Sequence, residues 1–319
     1  IGMAPDDLIQ PFQIDAHALR GRLVRLGAVI DTVLGRHDYP QPVAVMLGEM
    51  LVLTAGLAAA LKFDGVFILQ ATGDGPITLM VADLTSGGEI RGYAKFDRDR
   101  LAQALATPGP GRPDGGPLGN SVPRLLGAGH LALTVDQGEH TERYQGIVEL
   151  SGATLAECMQ HYFRQSDQLQ AGIKLAVGRV ADAAGRRSWR AGAIMLQRLP
   201  PPEHAAAEPQ DDAWRRALAL MSAAGDEDLL DPRLEPNLLL YRLFHEDGVR
   251  VYRPRPLKVG CRCSQERVGE MLRAMPRAQV EDLTVDGVLT VSCQFCSQTY
   301  RYDAPALNAV LDGGRRKQA

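Results

Sequence analysis

The longest apolar run in the chain, VAVMLGEMLVLTAGLAAAL at residues 43–61, spans nineteen positions with Glu49 as its only charge. That length touches the lower limit for a membrane span, and periodicity alone does not tell such a span from a buried core helix. Composition decides. A carboxylate near mid-span costs roughly 2.5–3.5 kcal/mol on insertion scales. The small residues from Ala55 to Ala60 suit close helix packing, and no second such run follows. The run therefore predicts a core helix, opened by Pro42 and ending at Lys62, where a cation is favoured.

Downstream the pattern shortens to the two-residue period of strands. GVFILQ (65–70), ITLMVADL (77–84) and IRGYAKF (90–96), joined by the glycine-rich corners TGDGP and TSGGE, predict an antiparallel meander. HLALTVD (130–136) and RYQGIVEL (143–150) predict a second hairpin, and IKLAVGRV (173–180) with AGAIMLQRL (191–199) a last strand pair. Between them, Thr154 to Leu169 places Leu155, Cys158, Met159 and Tyr162 on one helical face. The stretch PGPGRPDGGPLG (108–119) is too rich in proline and glycine for a packed element, and no Gly-Lys-Ser/Thr follows to make it a phosphate cradle. It is read as a loop without an assigned role. Antiparallel strands and helices without regular βαβ alternation argue an α+β fold for residues 1–202.

The texture changes at PPPEHAAAEPQDD (200–212). Trp214, Leu218 and Met221 share one face of a following helical segment, and NLLLYRLFHE (237–246) is the core of another. RPRPLKVG (253–260) then reads as an extended basic arm. A helical linker is assigned to 203–255, a small module to 256–312 and a basic tail to 313–319. Trp214, Leu218, Met221, Leu238, Leu239, Leu240, Tyr241, Leu243 and Phe244 are too apolar for a flexible tether, and they are expected to cover part of the N-terminal sheet.

At 319 residues and 45% hydrophobic the chain has material for a sizeable core plus a smaller unit. A net charge of −3 gives no overall drive toward nucleic acid or anionic lipid. The first residues are acidic and lack the apolar stretch of a signal peptide, so the cytosol is the expected compartment. There, thiols stay reduced unless they are catalytic, sensing or metal-bound.

That makes the cysteines informative. Four of the five lie near the C-terminus, as Cys261-x-Cys263 and Cys293-x-x-Cys296. Two close pairs of soft ligands are what a tetrahedral zinc site needs. The intervening sequence supplies a scaffold: Ser264 can cap a helix carrying Val268, Met271, Leu272 and Met275 before Pro276 stops it. LTVDGVLTVSC then reads as a hairpin turning at Asp286-Gly287. The rival redox reading of Cys-x-x-Cys wants a thiol at a helix N-terminus. Here Tyr300 and Tyr302 alternate like a strand, so a knuckle between strands fits better. Cys158, on an apolar helix face with His161 three residues away, reads as a small buried hydrophobe.

A structural metal is the plain reading, and two features argue for more. Residues 250–277 carry eight Arg and Lys against Glu266 and Glu270, a balance that favours reactive thiolates. A module of this size is also marginal on its core alone, whereas structural zinc contributes roughly 10–16 kcal/mol in small metallodomains. Oxidising the ligands would remove that support.

At this point the sequence resembles the redox-regulated heat-shock chaperone family of bacteria, the thirty-three-kilodalton heat shock protein. The likeness runs from HDYPQPVAVMLGEMLVLTAGLAAALKFDGVFILQATGDGP through YQGIVELSG, LAECMQHYFRQSDQL and LLYRLF to the two cysteine pairs. The resemblance implies an ATP-independent holdase that is inactive when reduced, with one zinc on Cys261, Cys263, Cys293 and Cys296. It implies that oxidation joins Cys261 to Cys263 and Cys293 to Cys296, releases zinc, unfolds the module and loosens the linker. It implies unfolding client proteins as partners, and a homodimer when oxidised. A bridge across Cys-x-Cys closes a very small ring, which suits a reversible sensor.

The strongest rival is a zinc-ribbon protein that binds nucleic acid through the basic stretch 250–277. That arm lacks the interleaved aromatics of a single-strand platform. No Gly-x-Ser-x-Gly, P-loop or His-Glu-x-x-His motif is present, so an enzyme is not expected. No nucleic acid and no membrane are expected as partners.

Overall fold

The computed structural model describes residues 6–15, 19–106, 121–138, 144–166, 170–182, 184–198 and 208–312. The glycine-rich loop 108–119, the 202/203 boundary and the basic tail 313–319 lie outside them. The chain divides into two compact units, Ile1–Val259 and Gly260–Ala319.

The first unit holds two mixed layers of sheet and helix. In chain order its elements are β1 (Leu8–Ile14), β2 (Leu19–Leu26), α1 (Ala28–Gly35), α2 (Gln41–Ala58), β3 (Val66–Gly73), β4 (Ile77–Thr85), β5 (Glu89–Phe96), α3 (Arg98–Ala106) and α4 (Val122–Leu125). There follow β6 (Gly129–Asp136), β7 (Tyr144–Glu149), α5 (Leu155–Ser166), β8 (Ala171–Ala181), β9 (Arg187–Arg198), α6 (Glu208–Ala223), α7 (Asp226–Leu230), α8 (Pro236–Phe244), β10 (Val249–Val251), β11 (Arg255–Pro256) and β12 (Lys258–Val259). One sheet runs β10-β1-β2-β9-β8 with β11 also on β1, and the other runs β12-β5-β4-β3-β6-β7. Every pairing is antiparallel except that of β12 with β5. The expected α+β class, the meander β3-β4-β5, the hairpin β6-β7 and the pair β8-β9 are all present.

Helix α2 packs against both sheets, and 83% of it is buried. Long and apolar enough to cross a membrane, it is instead the core helix that the sequence predicts. Its small residues set the approach: a Cβ on Gly56 would sit 2.3 Å from the Met195 sulfur, and one on Gly48 2.7 Å from Val177. The helix ends at Ala58, so Lys62 lies beyond it and does not cap it, a correction to the sequence reading. Beyond it the chain tightens, the Ala60 N–H donating to the Leu57 carbonyl (3.0 Å) and the Leu61 N–H to that of Ala58 (3.1 Å), and Leu61 is 42% exposed.

The first sheet is buried on both faces. Val24, Leu26, Ala191 and Ala193 join the core around α2, whereas Phe12, Leu19, Leu23, Ile194 and Leu196 pack under α6, α7 and α8. Trp214, Met221, Leu239, Leu240 and Phe244 are buried there, with Leu218 and Leu243 partly covered. Phe244 stacks on Phe12 with ring centroids 5.8 Å apart. Two residues depart from the expectation: Leu238 and Tyr241 are 42% and 59% exposed. A helix covers a sheet with one stripe only, and NLLLYRLF is apolar nearly all round.

Polar contacts reinforce this layer. Arg25 of β2, fully buried, donates to the carbonyls of Asp231 and of Leu234 (3.2 Å). Arg190 of β9 donates to the carbonyl of Leu230 at 2.8 Å, and both guanidiniums pair with Asp6. Burial pushes the Arg25 guanidinium below its ordinary range, with Asp6 opposing the shift.

The second unit is small. It contains α9 (Gln265–Ala274), α10 (Arg277–Asp282), β13 (Val288–Ser292), β14 (Thr299–Asp303) and α11 (Ala304–Asp312). Its core is Val268, Leu272, Val280, Leu289, Tyr302 and Leu307.

Candidate metal centre

Each cysteine pair sits where a local turn fixes its sulfurs. Cys261 and Cys263 lie in the extended segment before α9, whose N-cap Ser264 accepts from the Arg267 N–H at 3.2 Å, as its position predicts. Cys293 and Cys296 lie in the loop joining β13 to β14. That loop closes by bonds from the Cys293 N–H to the Gln298 carbonyl (2.9 Å) and from the Ser297 N–H to the Cys293 carbonyl (2.9 Å). Ser297 takes a positive φ of 59° to make the turn. The Asp286-Gly287 turn also forms, with φ of 52° and 75° as a type I′ turn requires. It differs from the expected hairpin in having a single bridge, Val285 to Val288, behind it. The extended partner of β13 is β14, because the cysteine loop is itself the tight connection.

The four sulfur atoms lie within 4.8 Å of one another. Cys261 to Cys263 and Cys263 to Cys296 are 3.3 Å, and Cys261 to Cys293 is 3.7 Å. A tetrahedron built on metal–sulfur bonds of about 2.3 Å has edges of about 3.8 Å, so the set is close to a preformed four-sulfur cage. Its electrostatics also ask for a cation. Burial, followed by the neighbouring thiols, pushes the Cys296 thiol up to about 12, and burial raises Cys263 as well. The Tyr300 hydroxyl, hydrogen-bonded to the Cys263 sulfur, is likewise pushed up to about 12. Thiols held up in this way favour their neutral form, and a bound cation would reverse that balance at Cys263 and Cys296. The cluster suits a metal ion, and no helix N-terminus stands behind Cys296 to make it a thioredoxin-type nucleophile.

Cys158 is separate from this cluster. It is fully buried in α5, its sulfur accepts from the Gly152 N–H at 3.3 Å, and burial raises its pKa, so it is a poor thiolate. Cys158→Ser is expected to leave metal content unchanged by elemental analysis. Loss of the metal in a folded Cys158→Ser protein would refute this separation.

Three cations of the basic stretch 250–277 have acidic partners. Arg250 pairs with Asp15 (3.0 Å), Lys258 with Glu89 (3.2 Å) and Arg277 with Glu281 (3.2 Å). Residues 260–312 hold five Arg and Lys against seven Asp and Glu, a net −2 before any thiolate.

Fold and cysteine cluster together define an α+β protein with a candidate four-thiol metal centre in its own small unit. The model of the Hsp33 protein family matches residues 7–303, and the chain belongs to that family. A 33 kDa chaperonin of Caulobacter vibrioides is 42% identical over 304 residues, 94% of this chain and 96% of the relative. A 33 kDa chaperonin of Pseudomonas putida is 36% identical over 313 residues, 97% of this chain and 95% of the relative. The crystal structure of the 33 kDa chaperonin (heat shock protein 33 homolog) of Thermotoga maritima superposes with a TM-score of 0.76. It covers 98% of this chain and 100% of that one at 23% identity, a likeness of fold. The family is one of chaperones.

Proposed function

We propose that the protein is a redox-regulated, ATP-independent holdase of the cytoplasm, inactive while its four clustered cysteines are reduced. The convergence of Cys261, Cys263, Cys293 and Cys296 in a unit with so small a core carries this reading. One zinc ion held by these four would fix them as thiolates and cross-link the two turns on which they sit. Oxidation by peroxide would take two electrons from each pair of thiolates, with four protons in all drawn from solvent. Two peroxides become four waters, and bonds form from Cys261 to Cys263 and from Cys293 to Cys296. A disulfide sulfur carries no charge to offer a cation, so the cross-link between the turns is lost. The pairing follows the family resemblance. The 3.3 Å contact between Cys261 and Cys263 is compatible with it.

With the module unfolded, the layer α6-α8 loses its C-terminal continuation and lifts from the first sheet. The face carrying Phe12, Leu19, Leu23 and Ile194 and the linker's own apolar stripe are then both available to unfolding proteins, and to a second copy of the chain. The test measures zinc content and suppression of client aggregation together, before and after peroxide with mild heat. Zinc release and activity are expected to rise in parallel; full activity in reduced, zinc-loaded protein would refute the reading. On that loaded protein, X-ray absorption is expected to give a sulfur-only shell near about 2.3 Å. A nitrogen or oxygen shell would overturn the ligand set.

A further inference from the structure

Residues 249–259 form a largely exposed arm laid along the edges of two sheets. It pairs with β1 at Val249–Val251 and Arg255–Pro256, then crosses to pair in parallel with β5 at Lys258–Val259. Nearly all of it faces water; Leu257 alone is buried, at 6% exposed. At that residue the arm is held between two sheet edges. The Leu257 N–H donates to the Asp7 carbonyl (2.7 Å), and the next N–H, of Lys258, donates to the Gly88 carbonyl (2.9 Å). Gly88, at φ 84°, admits this approach: a Cβ there would meet the Pro256 carbonyl oxygen at 2.6 Å. A cavity of ≈ 430 Å³ lined by Ile9, Leu84, Gly88, Arg253 and Leu257 remains beside the arm. Pro254 and Pro256 have no N–H to give, so the arm uses the two edges incompletely.

We propose that this slot, once the arm leaves it, is a docking site for one extended segment of an unfolding protein, bound by strand addition. Two carbonyls spaced for successive N–H donors, a socket for one apolar side chain and Glu89 beside the position of Lys258 define what fits. The fitting segment is proline-free and extended, with an apolar residue followed by a basic one. The arm is then a tethered competitor, present at high effective concentration until the oxidised module frees its C-terminal end. This rests on the holdase reading above and adds a backbone-reading site to its apolar face.

The experiment uses oxidised full-length protein with fluorescent, reduced and carboxymethylated α-lactalbumin as the bound client. Two competitors are compared: a peptide of residues 249–259, and the same peptide N-methylated at the positions of Leu257 and Lys258. The first is expected to displace the client. The second should be at least about tenfold weaker, because each lost hydrogen bond removes a donor the slot requires. Hydrogen exchange should show protection gained at residues 88–91 on client binding. Equal competition by both peptides, or no displacement by either, overturns the slot while leaving the holdase intact. Oxidised protein that binds no α-lactalbumin at all overturns the holdase reading and the slot with it.

Discussion

Cys293→Ser is expected to unfold the C-terminal unit, loosen the layer α6-α8 and leave residues 8–198 folded. The unit's core has six buried residues, Val268, Leu272, Val280, Leu289, Tyr302 and Leu307. Units of this size are marginal on burial alone. A structural zinc site contributes roughly 10–16 kcal/mol in comparable domains, far more than such a core, so losing one of four ligands should remove most of the stabilisation. The two cysteine turns are separated in chain order by α9, α10 and β13. Without the cross-link, the hairpin β13-β14 and the helix α9 meet only through Leu272, Tyr302 and their neighbours. Hydrogen exchange should show β13 and β14 lose protection while β3, β4 and β6 keep theirs, and a strong chelator should reproduce the pattern in the unmodified protein. Unchanged protection of β13 and β14 in Cys293→Ser would mean that the core holds without metal.

How far the sequence carried depended on whether each signal was local. Ser264 as a cap, Asp286-Gly287 as a turn and the two-residue period of β3 to β6 are decided within a few residues, and the structure has them all. The knuckle between β13 and β14 was legible in the alternation of Tyr300 and Tyr302, whereas the Asp-Gly turn advertised a longer hairpin than the single bridge behind it. The first strands were missed. LIQPFQI and LRGRLVRL are buried on both faces, so no clean alternation marks them, and arginines occupy β2 at positions that read as surface. Arg25 is tolerable in the core because Asp6 pairs with it and because the carbonyls of Asp231 and Leu234, more than two hundred positions away, accept from it. No local window contains that pairing. The same holds for α8: the segment is apolar enough to predict burial, but which stripe is buried is decided by the sheet beneath it.

Asp6 is where that long-range pairing is most exposed to perturbation, and Asp6→Asn is expected to loosen the linker layer specifically. Its carboxylate, 10% exposed, faces Arg25 and Arg190, whose side chains are 1% and 7% exposed. These guanidiniums also hold the carbonyls of Leu230, Asp231 and Leu234, so they tie the turn between α7 and α8 to the sheet. Neutralising Asp6 leaves two like charges buried together without their shared counter-ion. Breaking a buried pair in this way costs about 3–5 kcal/mol. The loss should fall on the elements the arginines hold, so hydrogen exchange in reduced protein should quicken at 224–244 while α2 stays protected. If the linker layer guards the apolar face, the variant should suppress client aggregation at a lower dose of peroxide than the unmodified protein. Asp7→Asn is the matched control. Asp7 accepts from the Gly27 N–H (2.8 Å) and the Val29 N–H (3.0 Å) at the start of α1, and burial already raises its pKa. An amide oxygen keeps both bonds, and asparagine tolerates the positive φ of 54° found there. A small effect of Asp7→Asn beside a large one of Asp6→Asn would assign the loss to the arginine pair. Equal effects, or quickened exchange throughout residues 8–198, would mean that Asp6 supports the whole unit and does not gate the linker.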